Sequence, residues 1–388
     1  MALRPTRMEV SLDNLRYNYR LIKEHVKGAD VIAVIKANAY NLGAVPAAWA
    51  LRQAGARFFA VATPEEALEL RDGGIASPVL VLGSSPYEAA DSYVKWGIRS
   101  AITDMEMARA MSRAAAKRQK TGYVHLKVDT GLGRIGYFPE DALKAAAEIV
   151  SLPGLELEGI FTHFALADTG DLTYTWEQYK SFMDVVEKLA EKGIRPKIRH
   201  CCNSAGTLEA PEMGLDAVRP GHIIVGMYPS PEVARSITVK PCFEFKTAVG
   251  ALRELPEGTG VSYGLDYRTE GPEKIAVLPM GYADGYYREL WSKGAEALVG
   301  GLRCPLVGRI CMDQMMVNVT GVKDVAVGDE VVMIGKQGGE EISLEEVAEK
   351  LGTLACVPPT LISTKRVPRI YIDREAEEYN SDCGQKTI

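Results

Sequence analysis

The chain has 388 residues, 47% of them hydrophobic and 25% charged, with a formal net charge of −6. That length exceeds one ordinary hydrophobic core and predicts two domains, and a negative balance without a basic block argues against nucleic acid as a partner. No run is apolar enough to span a bilayer, the opening MALRPTRMEV lacks a signal-peptide core, and the seven scattered cysteines form no CxxC pair; these features point to a cytoplasmic protein without a membrane partner or a zinc site.

Up to about residue 240, short β-branched runs alternate with helical patterns. The runs cover residues 31–35, 58–62, 79–82, 100–102, 123–128, 157–162, 198–201 and 217–225, the last interrupted by Pro220-Gly221. Helical periodicity fills 64–71, 104–120, 139–151 and 176–192, with Thr103-Asp104 as a helix start and Gly154 and Gly193 as stops. Eight such units predict an α/β architecture, a (β/α)8 barrel of the TIM type over residues 1–240. A doubly wound open sheet fits less well, because no glycine-rich turn follows the first strand. Beyond residue 240 the pattern changes. Strand-like runs at 243–252, 274–278, 306–319, 330–334 and 367–372 are joined by turn-rich connectors, with one capped helix at 343–351. This predicts a mainly β domain over 241–375, followed by a polar tail, 376–388, expected to fray.

In such a barrel, reactive residues gather at the C-terminal ends of the strands. Those ends carry Lys36 with Tyr40, Asp129-Thr130 with Arg134, His163, Asn203-Ser204, and Arg219 with Gly221. Singly, each has an ordinary explanation: a lysine ending a strand in solvent, a satisfied core histidine, a helix cap, a surface ion pair. Jointly they suit pyridoxal 5′-phosphate. A partly desolvated lysine amine can form a Schiff base with an aldehyde. Ser204, backbone N–H groups near Gly221 and the Tyr40 hydroxyl can hold a phosphate.

The segments AVIKANAY, KVDTGLGRIG, THFALAD, NSAGTL, VRPG, VSYGLDY, GYADGY, VGRICMDQ and RVPRIY resemble the motifs of the alanine racemase family, in its order, over nearly the whole chain. The resemblance implies a cytoplasmic racemase of amino acids, dependent on pyridoxal phosphate, that works as a homodimer with shared active sites. It makes Lys36 the Schiff-base lysine and Tyr263 the opposite base, donated by the partner subunit. Arg219 would face the pyridine nitrogen, with His163 linking it towards Tyr263. Arg134 and the backbone of Met312 would meet the substrate carboxylate, and Lys127 stands where relatives often carry a carbamylated lysine. Asn203, Gly221 and His222 join the cofactor set, and no metal is implied. Two groups are needed because a proton must leave one face of Cα and return to the other. An unperturbed tyrosine has a pKa near 10 and needs help to act as a base. Arginine can donate to the ring nitrogen without protonating it.

Three departures mark this chain. Asn41-Leu42 replaces the usual Gly-His after KANAY, His222 begins HIIVG after VRPG, and TLACVPP puts Cys356 or a close neighbour where an aromatic is usual. One reading of these is drift; the other is a wider pocket admitting serine or a larger amino acid. Rival functions are an aldolase-like Schiff-base lyase, a pyridoxal-phosphate homeostasis protein and a decarboxylase of the same two-domain fold. The first has no need of Tyr263, the second lacks VSYG and CMDQ, and the third carries different motifs.

Overall fold

The eight β-branched runs become eight parallel strands. The computed structural model describes residues 3–375, which divide into two units. The first comprises Asn14–Ala39 and Gly43–Lys240. Its strands are Asp30–Val34, Phe58–Val61, Val79–Val81, Ile98–Ile102, Gly122–Lys127, Leu155–Phe161, Ile198–His200 and Ala217–Val218, each parallel to its sequence neighbour except at one gap. Ala217–Val218 pairs with Asp30–Val34, and the remaining gap is bridged by Asp216 N–H to Arg199 O (3.1 Å) and Arg219 N–H to Cys202 O (2.8 Å). The sheet therefore closes into a barrel, cored by Ile32, Val34, Ala60, Leu80 and Ala217. The run 217–225 stops early as a strand, because Pro220 has no N–H to give the ladder.

The helices between the strands start where side chains can satisfy free N–H groups. Thr63 and Glu66 form a reciprocal capping box on Pro64–Asp72, and Asp104 accepts the Met107 N–H at the head of Met105–Arg118. One ladder is irregular. Val124 faces Leu157 and His125 faces Gly159, so Glu158 is an extra residue, a β-bulge in Leu155–Phe161.

The second unit comprises the chain up to Asp13, Tyr40–Leu42 and the residues from Pro241 onward. Its main sheet runs Leu302–Pro305, Glu296–Val299, Glu330–Gln337, Phe243–Ala248, Arg7–Ser11, Arg369–Ile372, with Glu340–Ile342 on Glu330–Gln337. Arg7–Ser11 lies antiparallel to Phe243–Ala248 and parallel to Arg369–Ile372, with Met8 and Val10 inward. A second sheet joins Ala251–Leu255, Glu273–Leu278 and Met315–Asn318. The unit is mainly β, but the run 306–319 is not one strand. Leu306 makes a lone bridge to Val317, and Gly308 turns the chain at a φ of 69°. A Cβ on Gly308 would lie 2.5 Å from the Val261 carbonyl, so only glycine allows this approach. The helix at the end of the domain starts at Ser343, whose hydroxyl accepts the Glu346 N–H. Among the described residues, no helix is long and apolar enough to cross a membrane. The tail expected to fray, 376–388, lies outside the described residues.

Candidate active site

Asp30–Val34 is buried along its last four residues, and Lys36 emerges exposed just beyond it. The chain does not then enter an ordinary helix. Ala37, Asn38, Ala39, Tyr40 and Asn41 have φ values of 51°, 56°, 54°, 54° and 72°, a left-handed turn without glycine. Such backbone costs roughly 1–2 kcal/mol per residue, so its surroundings must hold it. Ala39 N–H reaches Ile35 O (2.9 Å), Gly43 N–H reaches Asn38 O (2.9 Å), and the Asn38 amide oxygen accepts the Ala44 N–H (2.7 Å). The turn fixes where Lys36 leaves the strand.

Arg219 is the most enclosed charge of the barrel, 3% exposed. It donates to His200 Nδ1 (2.8 Å), to the carbonyls of Thr162 (2.7 Å) and Cys201 (3.0 Å), and to His163 Nδ1 (3.3 Å). Among the described residues no carboxylate pairs with it. Burial lowers its pKa to about 10, which leaves it charged at neutral pH. Burial, and then the charge of Arg219, push His163 well below the ordinary histidine range. The ring is therefore neutral, accepts at Nδ1 and keeps its proton on Nε2. Close by in the sequence, Asn203 caps Ser204–Glu209 through its amide oxygen on Gly206 N–H (2.9 Å). The buried Ser204 hydroxyl accepts the Gly221 N–H (2.9 Å). His222 is held down to about 4 by burial, with the Lys36 ammonium adding to the effect.

Lys127 ends Gly122–Lys127 and is 1% exposed. Its amine donates to Val128 O (2.7 Å), and burial, then Arg219, lower its pKa to about 7. Beyond it, the Asp129 carboxylate gathers the N–H groups of Gly131, Leu132, Gly133 and Arg134 at 2.9–3.1 Å. Burial would raise Asp129, but these N–H groups and Lys127 outweigh it and hold the carboxyl below its usual range. The loop thus presents Arg134, which is exposed, from a rigid backbone.

The β unit contributes Tyr263 and Met312, 69% and 53% exposed. Tyr263 follows Gly260–Val261 on a strained turn: Ser262 has φ 63°, Gly264 81° and Leu265 53°. Ser262 Oγ donates to Arg309 O, and Arg309 is ion-paired with Asp266. A Cβ on Gly264 would lie 2.8 Å from the Arg309 guanidinium carbon. A groove of ≈ 500 Å³ beside the turn is lined by Arg253, Ser262, Tyr263, Cys311 and Gln314. The Met312 carbonyl accepts the Ala283 N–H (3.0 Å), and Cys311 N–H closes the loop on Gln314 O (2.9 Å). Beneath this loop Asp284 is fully buried and pairs with Arg4 and Arg366, both at 2.9 Å; Arg366 continues to Asp313 (2.6 Å). Burial works against the ionised Asp284, but the two arginines and Gly281 N–H win and lower its pKa. Tyr40 is buried, and burial, then Cys356, raise its pKa. Asn41 connects two of the departures: its amide donates to both Pro359 O and Ile362 O at 2.7 Å, just past Cys356.

The barrel therefore brings together Lys127, His163 and Arg219, joins Ser204 to Gly221, and sets Lys36 near His222. Tyr40, Tyr263 and Met312 belong to the other unit. Sequence reasoning overlooked His200, His125 and Asp284. A histidine inside a strand run, as in HLKVD, and the aspartate of GYADGY were the available signals.

Residues 10–229 match the model for the alanine racemase N-terminal domain, and residues 242–371 match the C-terminal one. The chain is similar to the alanine racemase of Clostridium tetani, 43% identical over 372 residues, covering 95% of this chain and 96% of that protein. It is similar in structure to the alanine racemase of Clostridium difficile 630, with a TM-score of 0.91 and 38% identity, covering 96% and 97% of the two chains. It is also similar to the histidine racemase of Leuconostoc mesenteroides subsp. sake, with a TM-score of 0.89 and 31% identity, covering 96% and 99%.

Proposed function

The chain belongs to the alanine racemase family, and from that premise we propose that it interconverts L- and D-alanine with pyridoxal 5′-phosphate, through Lys36 and Tyr263, in a cytoplasmic homodimer. The observation that carries the reading is a buried, charged Arg219 with no carboxylate partner among the described residues, in the barrel that ends its first strand on Lys36. That donor set fits the cofactor. Lys36 supplies the amine, Ser204 with the Gly221 and His222 backbone and the Tyr40 hydroxyl the phosphate contacts, and Arg219 a donor for the ring nitrogen. Bound there, pyridoxal phosphate supplies an electron sink for the charge left at Cα when its proton departs.

The chain's own groups do the rest. Lys36 takes or returns the proton on one face of Cα, and Tyr263 serves the other. Tyr263 acts on the barrel of the partner subunit, which fits its exposure on its own chain. Neutral His163, fixed by Arg219, orients towards that tyrosine. Arg219 cannot give up its proton at neutral pH, so it holds the ring nitrogen without protonating it. This limits charge delocalisation and favours proton return over side reactions. Arg134 and the Met312 backbone hold the substrate carboxylate.

Lys127 is the candidate for carbamylation. With its pKa near 7, part of the amine is neutral at neutral pH, as addition to carbon dioxide requires. The amine nitrogen bonds to the carbon and one proton leaves, so a cation becomes an anion beside Arg219 and Arg134. Protein equilibrated with 13C-bicarbonate should show a carbamate carbon resonance that Lys127→Ala abolishes.

A second reading, a broader substrate range, rests on Cys356 and Asn41. Asn41 secures the segment after Cys356 without an aromatic wall. The direct test measures D-alanine and D-serine formed from the L-isomers by purified protein supplied with the cofactor. No racemisation of either would end the proposal.

A further inference from the structure

Behind Arg219 lies a line of polar groups that no step above uses. His200 Nδ1 takes the Arg219 N–H at 2.8 Å. His200 Nε2 lies 2.8 Å from His125 Nδ1, and His125 Nε2 lies 3.1 Å from Glu158 Oε2. Glu158 is held by Arg99 through two bonds of 2.9 and 3.0 Å. Both histidines are fully buried.

The direction of this line is fixed from both ends. Arginine only donates, so His200 Nδ1 must accept and its proton sits on Nε2. That N–H requires His125 Nδ1 to accept, so the His125 proton also sits on Nε2 and faces a carboxylate, which only accepts. Burial lowers both rings below the ordinary histidine range, which keeps them neutral. Each ring turns its lone pair towards Arg219 and its N–H towards Glu158, so their dipoles add.

The backbone is shaped for this line. Glu158 is the bulged residue, and a bulge re-aims a side chain. The next residue is Gly159, where a Cβ would stand 2.2 Å from His125 Nδ1. Phe161 stacks on the His200 ring at 4.9 Å and 3°. Three neighbouring residues of one strand thus aim the carboxylate, leave room for one imidazole and clamp the other.

We propose that Glu158 is a positioning residue: through His125 and His200 it sets the hydrogen-bond direction that locks Arg219 as a donor. This rests on the role of Arg219 at the cofactor ring given above. Glu158→Gln is the sharpest test, because Arg99 takes the amide oxygen and the NH2 is left facing His125. Both rings must then move their protons to Nδ1, which sets an N–H against the Arg219 N–H.

With 15N-histidine-labelled holoenzyme, NMR should find His125 and His200 both protonated at Nε2 in the native protein and both at Nδ1 in Glu158→Gln. The variant should lose on the order of tenfold or more in kcat on alanine, keep KM within about twofold, and shift the visible absorbance of the bound cofactor. His125→Phe, which leaves the Arg99–Glu158 pair intact, should lower kcat and shift the absorbance in the same direction should Glu158→Gln not fold. Native rings protonated at Nδ1, or charged, overturn the proposal. So does a variant whose tautomers switch while kcat and absorbance stay native, provided Arg219→Lys alters both. If Arg219→Lys alters neither, the role of Arg219 itself falls, and the relay with it.

Discussion

In the barrel, Lys127, His125, His200 and Arg219 are each 3% exposed or less; in the β unit, Tyr263 is 69% and Met312 53% exposed. Both units nevertheless rest on buried polar contacts. Beneath the exposed Met312 loop, Asp284 is at 0%, tied to Arg4 and Arg366. The barrel keeps its functional groups inside and tunes them by desolvation, as the lowered Lys127 and Arg219 show. The β unit keeps its ion pairs inside and offers its functional groups outward. A side chain meant for its own barrel gains from enclosure, whereas one meant for another chain must remain reachable.

The largest expected effect breaks the barrel half. Lys36→Ala should lose at least about 10³-fold in kcat, and borohydride should no longer attach the cofactor to the chain. Retained activity with cofactor still attached at another residue would remove Lys36 from its role. Tyr263→Phe should lose about 10²–10³-fold yet bind cofactor as the native protein does. Mixing it with Lys36→Ala under subunit exchange should restore part of the activity, since each mixed dimer has one site with both native residues. Mixtures that stay inactive would show that each chain supplies its own tyrosine.

Asp284→Asn sharpens the contrast from the other side, since it alters support and not chemistry. It should cost about 2 kcal/mol by chemical denaturation, towards the low side for a buried pair because both arginines are about a third exposed. The sign with pH follows from the lowered native pKa. The contribution is full above the unfolded carboxyl range and disappears as pH falls through the native value. The native-minus-variant gap should therefore close on acidification; a gap that widens would contradict the ion-pair account. The smallest effect is expected at Cys356→Tyr, which narrows the ratio of serine to alanine kcat/KM by about tenfold. An unchanged ratio would make the departures near Cys356 neutral for specificity.

Much of the barrel was legible in period alone. The runs at 58–62, 79–82 and 123–128 are buried on both faces and read as apolar blocks, and the helices announce themselves with Thr63-Pro64 and Asp104. The candidate residues at the strand ends followed from that architecture. The partner of Arg7–Ser11 was not legible, because a five-residue strand carries no signal of which distant strand it joins. The run at 306–319 misled because strand-like residues also fill a loop when a glycine turns it. His125 and His200 looked like interruptions of apolar strands until their rings were seen 2.8 Å apart.

The sequence by itself determined the number and order of elements, the change of architecture near residue 240, and the identity of the groups able to do chemistry. These depend on neighbours in the chain: a period, a cap, a proline. The tertiary structure alone decided the left-handed turn after Lys36, the bulge at Glu158 and the charge state of Lys127. A backbone of five positive φ values survives only when hydrogen bonds outside it compensate the strain, and a lysine pKa near 7 arises only when the fold removes its water.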